Sequence, residues 1–452
     1  MKLFGTDGLR GRAGEFPLDA TSAHLVGEEV GKRAGAGGRV VLGGDTREST
    51  PGLLSQLAAG LSLSGCEVAN AGVIPTPAIA ELVLALSAGA GVSVSASHNP
   101  FEDNGIKIFG PDGRKWPDEE EAELERTLLA SRESALHPDP SFAKATEGGP
   151  LPPGEGDRAD PELAEIYLQR LAAHMPVRVE GLAVVMDTGN GAAFRIGPEA
   201  LRRAGARITA IADRPDGKNI NAGCGALHPG GMAAKTRESV AAMGVALDGD
   251  ADRAIFSDET GRILDGDDVL WIIARDWKHK GMLRKGGVVG TVMSNYGLEA
   301  GLAREGIAFV RASVGDRNVA RVMEESGAAI GGETSGHVIL PFSPAGDGIQ
   351  TALLLASIVS ENREPLSRLA TLEKAPQVLR NVRVTRRVAI DGVAGLSRAV
   401  ERAEQALDHR GRVYLRYSGT EPLLRILVEG SERETVVAIA DELEAAVRAE
   451  LT

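Results

Sequence analysis

Gly91–Gly110 reads GVSVSASHNPFEDNGIKIFG, and this stretch decides how the rest of the chain is read. Val92 and Val94 alternate with Ser93 and Ser95, the period-two pattern of a short buried strand. Pro100 ends the ladder, and Asp103-Asn104-Gly105 gives a second turn signal before Lys107. Ser97 is therefore expected on a tight loop at the carboxyl end of a strand, where open α/β sheets place their ligand sites. Ser-His and Asn-Pro pairs also serve in ordinary turns by capping nearby backbone groups. A hydrolase elbow needs G-x-S-x-G, and Ser95 and Asn99 flank Ser97 instead.

Outward from that strand the alternation continues. Arg39–Leu42 and Val68–Gly72 are expected strands, and the helix opened by Thr50-Pro51 and the helix Pro77–Leu86 lie between strands. Strand, helix, strand, helix, strand predicts a parallel sheet with helices on its faces. The N-terminal FGTDGLRGRAG carries Arg10 and Arg12 among glycines and reads as a flexible terminus or an anion-binding arm. Asp118–Glu125 reads as a solvated helix, and the Pro- and Gly-rich His137–Asp157 as a linker. A second unit repeats the pattern, with a helix expected over Met232–Met243. Asp187-Thr188-Gly189-Asn190-Gly191 resembles the start of a dinucleotide fingerprint, but Phe194 stands at the third glycine position. A third unit starts near Gly261 and a smaller one near Ala375. The expected domains are 1–150, 151–256, 257–372 and 373–452, three similar mixed α/β domains and a smaller C-terminal α+β domain.

Composition narrows the function. At 452 residues the chain is too long for one core, and about three or four domains are expected. A net charge of -13 argues against nucleic acid or an anionic membrane as the main partner. No apolar run approaches a membrane span, the start has no apolar leader, and the two cysteines, Cys66 and Cys224, suit a reduced cytoplasmic protein.

Three loops add chemistry. Asp248, Asp250 and Asp252 follow a strand on alternate residues, a spacing that converges oxygens on a hard cation such as Mg²⁺. An EF-hand is close, with Glu259 at the twelfth place, but Arg253 replaces its glycine and the flanks read as strands. Arg416-Tyr417-Ser418-Gly419-Thr420-Glu421-Pro422 with Arg425 offers guanidiniums, hydroxyls and glycine-exposed amides, the groups that hold a phosphate. Gly332-Glu333-Thr334-Ser335-Gly336-His337 offers a carboxylate, hydroxyls and an imidazole for sugar hydroxyls.

In order, SASHNP, DGDADR, GETSGH and RYSGTEP resemble the α-D-phosphohexomutase superfamily over essentially the full length. That resemblance implies a four-domain enzyme in which Ser97 carries a phosphoryl group and one Mg²⁺ per subunit bridges it to Asp248, Asp250 and Asp252. It implies a sugar 1,6-bisphosphate as intermediate or activator. Arg10, His98, Lys107 and Arg253 would lie near the reacting phosphate, with Lys107 or another nearby base moving the hydroxyl proton. Glu333, Ser335 and His337 would bind sugar hydroxyls, and Arg416, Ser418, Gly419, Thr420 and Arg425 the distal phosphate. FGTDGLRG, VGTVMSNYGLE and RYSGTEPLLR resemble the branch that interconverts glucosamine 6-phosphate and glucosamine 1-phosphate toward UDP-N-acetylglucosamine and the cell wall. The alternative is a phosphomannomutase/phosphoglucomutase. Thr334 stands where the first branch usually has glutamine and the second methionine, so it favours neither. A hexosamine phosphate is thus the expected partner, without nucleic acid or membrane, and a homodimer is compatible with the chain. A metal-dependent phosphatase and a non-catalytic sugar-phosphate sensor stay open as readings from other classes.

Overall fold

A computed structural model describes residues 3–5, 7–136, 159–283, 286–418 and 422–452. Four sheets follow one another along the chain. The first comprises β1 (Phe4–Gly5), β2 (Gly8–Arg12), β3 (Arg39–Gly44), β4 (Glu67–Val73), β5 (Ala90–Val94) and β6 (Asp103–Phe109), in the order β1-β2-β6-β5-β3-β4. Strands β3, β4 and β5 pair in parallel, whereas β6, β2 and β1 join antiparallel. The second comprises β7 (Ala183–Asp187), β8 (Arg207–Ile211), β9 (Met243–Leu247), β10 (Ala254–Asp258) and β11 (Ile263–Leu264), ordered β11-β10-β9-β7-β8. The third comprises β12 (Val288–Thr291), β13 (Phe309–Ala312), β14 (Ile330–Gly332) and β15 (Val338–Ile339), ordered β13-β12-β14-β15. The last is antiparallel, with β16 (Gln377–Arg383), β17 (Gly411–Tyr417) and β18 (Leu423–Gly430) ordered β16-β18-β17.

The first three sheets share one plan: a parallel core in which the last parallel strand turns straight back into an antiparallel neighbour. Each expected functional loop is such a hairpin turn, β5 to β6 for Ser97, β9 to β10 for the aspartates and β14 to β15 for GETSGH. The strands that flank the fourth loop, β17 and β18, also pair antiparallel.

This plan corrects several expectations. Asp103-Asn104-Gly105 is the start of β6, not a turn. Gly105 is needed because a Cβ there would lie 2.5 Å from the Ser95 carbonyl oxygen and 2.8 Å from that of Leu9, in the crowded middle of the sheet. The N-terminal loop is a hairpin on the sheet edge, with Arg10 opposite Gly105. The acidic helix Asp118–Leu136 is not wholly solvated, since Leu124 and Leu128 are buried in the first unit's core. The helix expected over Met232–Met243 spans Gly230–Glu238, because Val240 takes a left-handed φ of 51° and the chain enters β9 at Met243. The linker His137–Asp157 lies outside the described residues.

Packing ties the second and third units together. One apolar core runs from β7 and β9 through Phe256 and Trp271 to the helix Gly348–Asn362, and takes in the helices Thr76–Leu86 and Pro161–His174. The other face of the first sheet has its own core around Leu9, Val92 and Leu57. The C-terminal unit is also separate, closed by Leu396, Leu424 and Leu443.

In the first unit the helices Ala20–Ala34 and Thr50–Leu63 touch backbone to backbone. A Cβ on Gly60 would lie 2.1 Å from the His24 carbonyl oxygen, and one on Gly27 2.2 Å from that of Leu57. Overpacking of this kind costs about 1–3 kcal/mol even where helix propensity favours alanine. Gly60→Ala should therefore lower the urea midpoint of the first unit; an unchanged or raised midpoint would show that the two helices simply slide apart.

Candidate active site

Ser97 occupies the tip of the β5–β6 turn at a φ of 53°, a left-handed conformation that a non-glycine residue holds only when its surroundings fix it. Its amide donates to Ser95 Oγ at 2.9 Å, and Ser95 Oγ donates to Asp45 Oδ2 at 2.5 Å. Ser97 is fully buried, and its Oγ donates to Asp248 Oδ2 at 2.5 Å. The reactive turn of the first unit thus meets the acidic turn of the second. The approach requires glycine at 249, where a Cβ would lie 2.5 Å from the Ser97 carbonyl oxygen.

Asp248, Asp250 and Asp252 are all buried, and one oxygen from each lies within 4.8 Å of the others. Asp250 Oδ2 accepts from Thr76 Oγ1 and Lys107 Nζ, both at 2.8 Å, and Asp252 Oδ2 accepts from Lys107 Nζ at 3.1 Å. The second oxygens, Asp250 Oδ1 and Asp252 Oδ1, are buried and accept no hydrogen bond from the described residues. Arg253 Nε is 3.6 Å from Asp252 Oδ1, too far to donate. Buried carboxylate oxygens without donors fit a hard divalent cation, which takes oxygen ligands and supplies the missing positive charge.

Electrostatics follow from this crowding. Burial, then the charges of Asp252 and Asp250, push the Asp248 carboxyl well above the usual carboxylate range. Burial also opposes ionisation of Asp252, but Lys107, His337 and Arg253 outweigh it and hold that carboxyl well below its usual range. Burial would lower Lys107, yet Asp250, Asp252 and Asp7 keep its ammonium charged well above the usual lysine range. Lys107 therefore enters the site as a proton holder, not as a free base.

His98 Nδ1 lies 2.9 Å from Arg253 Nη1 and 3.3 Å from Ser97 Oγ. A guanidinium only donates, so Nδ1 is the unprotonated ring nitrogen and His98 is neutral. Burial and the nearby charges of Arg253 and Arg10 lower its pKa to about 4, in agreement. His98 orients Arg253. Arg10 pairs with Asp7, which also binds Lys107 at 3.2 Å and Lys115, and Lys115 reaches Asp316 of the third unit at 2.6 Å. Asp7, Thr76, Lys115 and Asp316 were not singled out by the sequence, since each acts through contacts across distant segments. Arg10 Nε and Arg253 Nε are buried donors with no acceptor among the described residues, which suits an anionic ligand.

In the third unit, His337 is buried with Nδ1 3.9 Å from Asp252 Oδ2. Burial would lower its pKa, but Asp252, Asp316 and Glu333 raise it. Glu333 Oε1 accepts from the Gly315 amide at 2.8 Å, and Ser335 is exposed. Thr334 Oγ1 donates to Asp267 Oδ2 at 3.3 Å. In the C-terminal unit Arg416 and Arg425 face each other on β17 and β18, and the Ser418 amide donates to the Leu423 carbonyl at 2.8 Å. Gly419 and Thr420 lie outside the described residues. This unit is fastened to the third, through Arg412 Nη2 to Ser294 O at 3.0 Å and Tyr296 Oη to His409 O at 2.7 Å. The structure thus gathers Ser97, His98, Lys107, Arg10, Arg253, His337 and the aspartates into one cluster. The two arginines of the fourth loop belong to a unit with its own core and its own contacts.

The raised pKa of the Asp248 carboxyl makes a prediction. A divalent cation needs that group as a carboxylate, so binding should release a proton below its raised pKa, and affinity should rise with pH by at most about tenfold per unit. Calorimetric titration of Mg²⁺ in buffers of different ionisation heat should show that release. Heats independent of buffer would contradict it.

Comparison with known proteins adds to this geometry. The descriptions "Phosphoglucomutase/phosphomannomutase, alpha/beta/alpha domain" I, II and III match residues 1–135, 165–261 and 265–375, and the C-terminal domain of the same family matches 379–446. The phosphoglucosamine mutase of Symbiobacterium thermophilum is 44% identical over 456 residues, covering 100% of this chain and 99% of that one. That of Brucella ovis is 40% identical over 449 residues, covering 98% and 97%. Among solved structures, a phosphoglucomutase/phosphomannomutase family protein from Burkholderia thailandensis shares the fold with a TM-score of 0.79 at 24% identity, covering 99% and 97%. Aspergillus fumigatus N-acetylphosphoglucosamine mutase, in complex with GlcNAc-6P and magnesium, shares it with a TM-score of 0.65 at 21% identity, covering 100% and 96%.

Proposed function

Because the chain belongs to the phosphoglucomutase/phosphomannomutase family, we propose that it is a phosphoglucosamine mutase, interconverting glucosamine 6-phosphate and glucosamine 1-phosphate through a phosphorylated Ser97. The observation that carries the reading is the bond from Ser97 Oγ to Asp248 inside a buried carboxylate cluster with two unclaimed oxygens. A phosphatase needs the cluster but not a buried serine locked against it.

In the forward reaction the bond between phosphorus and the Ser97 oxygen breaks and one between phosphorus and the free sugar hydroxyl oxygen forms, giving a glucosamine 1,6-bisphosphate. The bisphosphate then turns over, and its other phosphoryl group returns to Ser97. Magnesium bound by Asp248, Asp250 and Asp252 would supply positive charge against the phosphoryl oxygens. Arg10 and Arg253 face the same charge from the protein side, and the buried setting strengthens both. The attacking sugar hydroxyl loses a proton as the serine oxygen gains one, and on return the serine hydroxyl loses its proton as the sugar oxygen gains one, so each half-reaction is proton-neutral. Lys107 Nζ holds one beside the cluster, and gives it up more readily once the aspartate charges are neutralised. Glu333, Ser335 and His337 would meet sugar hydroxyls, and Arg416, Ser418, Gly419, Thr420 and Arg425 the distal phosphate, so that the near end is held for reaction.

A phosphomannomutase/phosphoglucomutase is the second reading, kept because Thr334 is the usual residue of neither branch. That side chain is tied back to Asp267 rather than left free to select a hexosamine. The full-length likeness to phosphoglucosamine mutases outweighs it. Turnover of glucosamine, glucose and mannose phosphates, offered side by side with Mg²⁺ and a trace of bisphosphate, decides between them. Glucosamine phosphate should be preferred, and Ser97→Ala should abolish isomerisation of all three. Preference for mannose or glucose phosphate would move the assignment to the second reading; phosphate release without isomerisation would refute both.

A further inference from the structure

Two stretches take no part in the reaction as derived above, GGDTR at 43–47 and NINAG at 219–223, yet their side chains meet behind the Ser97 turn. Arg47 is only 1% exposed and is among the largest fully buried side chains of the described residues. Its Nε donates to Asp45 Oδ2 at 2.8 Å, which offsets its charge. Its Nη2 donates to the carbonyl oxygens of Ser97 and Asn99, both at 2.9 Å, and its Nη1 to that of Pro100 at 2.5 Å. Asn221 comes from the second unit. Its Nδ2 donates to the same two carbonyl oxygens, Ser97 at 2.9 Å and Asn99 at 3.3 Å.

Asn221 is itself held, with its amide donating to the Gly189 carbonyl at 2.8 Å and its φ at 57°. A Cβ on Gly249 would lie 2.9 Å from Asn221 Nδ2 as well as 2.5 Å from the Ser97 oxygen. The Asn221 amide, the Ser97 carbonyl and the acidic turn therefore interlock without slack. A guanidinium and a carboxamide converging on one pair of carbonyls is more than a turn needs to close. One of those donors arrives from the unit that carries the aspartates.

We propose that Asn221 and Arg47 are positioning residues for phosphoryl transfer: they lock the backbone of the Ser97 turn in register with the aspartate loop, so that Ser97 Oγ sits against Asp248 in every half-reaction. This rests on the reading of Ser97 as the phosphoryl carrier. Arg47 fixes the turn to its own sheet, and Asn221 fixes it across the boundary to the second unit. The left-handed Ser97 conformation is the kind that persists only when neighbours over-determine it. Both residues reach the turn through its backbone carbonyls and not through Ser97 Oγ, so their loss should act on the transfer step more than on substrate capture. A displacement of about 1 Å at a reacting atom costs on the order of 100-fold in rate.

The test uses Asn221→Asp and Asn221→Gly in the full chain with Mg²⁺. Aspartate keeps the shape and tolerates the left-handed φ but has no N–H to donate; glycine removes the side chain without backbone cost. The measurements are kcat and KM for glucosamine 6-phosphate per folded molecule. A single-turnover rate of phosphoryl transfer from phosphorylated Ser97 is taken in parallel. Both variants should lose about tenfold to hundredfold in kcat and in the single-turnover rate, with KM unchanged. A kcat per folded molecule equal to that of the unaltered protein would overturn the proposal, whatever happens to the thermal midpoint. So would a loss confined to KM. If the unaltered protein turns over but carries no phosphoryl group on Ser97, the reading beneath the proposal fails with it.

Discussion

Everything at the centre of this molecule answers to one constraint: three carboxylates and a serine are forced together where water cannot screen them. Asp248, Asp250 and Asp252 repel one another, and burial sharpens that repulsion. The chain meets it with Lys107 against two of them, Thr76 on Asp250 and a raised pKa on Asp248. Two oxygens are left for a cation to satisfy. An arrangement so costly to bury when unpaired is hard to explain as packing. It stores the electrostatic demand that a bound cation and a transferring phosphoryl group can fill.

The fold meets that demand by repetition. Each of the first three sheets ends its parallel run in a hairpin, and the hairpin tip carries the polar loop. Glycines at 105, 249 and 346 mark the places where one tip presses on another element: Gly105 under Ser95, Gly249 under Ser97, Gly346 over His337. The core shared by the second and third units fixes the aspartates relative to His337. The C-terminal unit, with a core of its own, brings Arg416 and Arg425 on a separate body. Three loops in mutual contact and a fourth carried by a unit with its own core, hydrogen-bonded to the third, suit a site that must grip a substrate and then let a bisphosphate turn.

How much of this was legible beforehand depended on whether a feature was local. Strand–helix alternation placed the longer elements apart from β6 and the helix Asp316–Ser326, because period and capping residues act over a few positions; the short strands β1, β2, β11, β14 and β15 were missed. The aspartate triplet was legible from like-charge spacing, and its three residues do converge; SASHNP, GETSGH and RYSGTEP each read equally as plain turns and stood out only as an ordered set. The β6 hairpin was not legible, because Asp103-Asn104-Gly105 has turn residues whose reason is the crowded sheet interior: Asn104 is buried on Ser49 and Thr50, and Gly105 has no room for a side chain. The N-terminal arginines read as a loose arm because only the distant β6 gives their strand a partner. The pairing of Lys107 with three carboxylates was not legible, because those neighbours come from segments far away in sequence. Asn221 and Arg47 were invisible as a pair for the same reason.

The central claim is that Ser97 is the group that carries phosphorus between the two ends of the sugar. Rapid-quench mixing of phosphorylated protein with glucosamine 6-phosphate in the presence of Mg²⁺ tests it directly. The account predicts that the phosphoryl group leaves Ser97 and appears as glucosamine 1,6-bisphosphate before any glucosamine 1-phosphate is released. Inorganic phosphate as the first product, or glucosamine 1-phosphate that carries none of the phosphoryl label placed on Ser97, would contradict it.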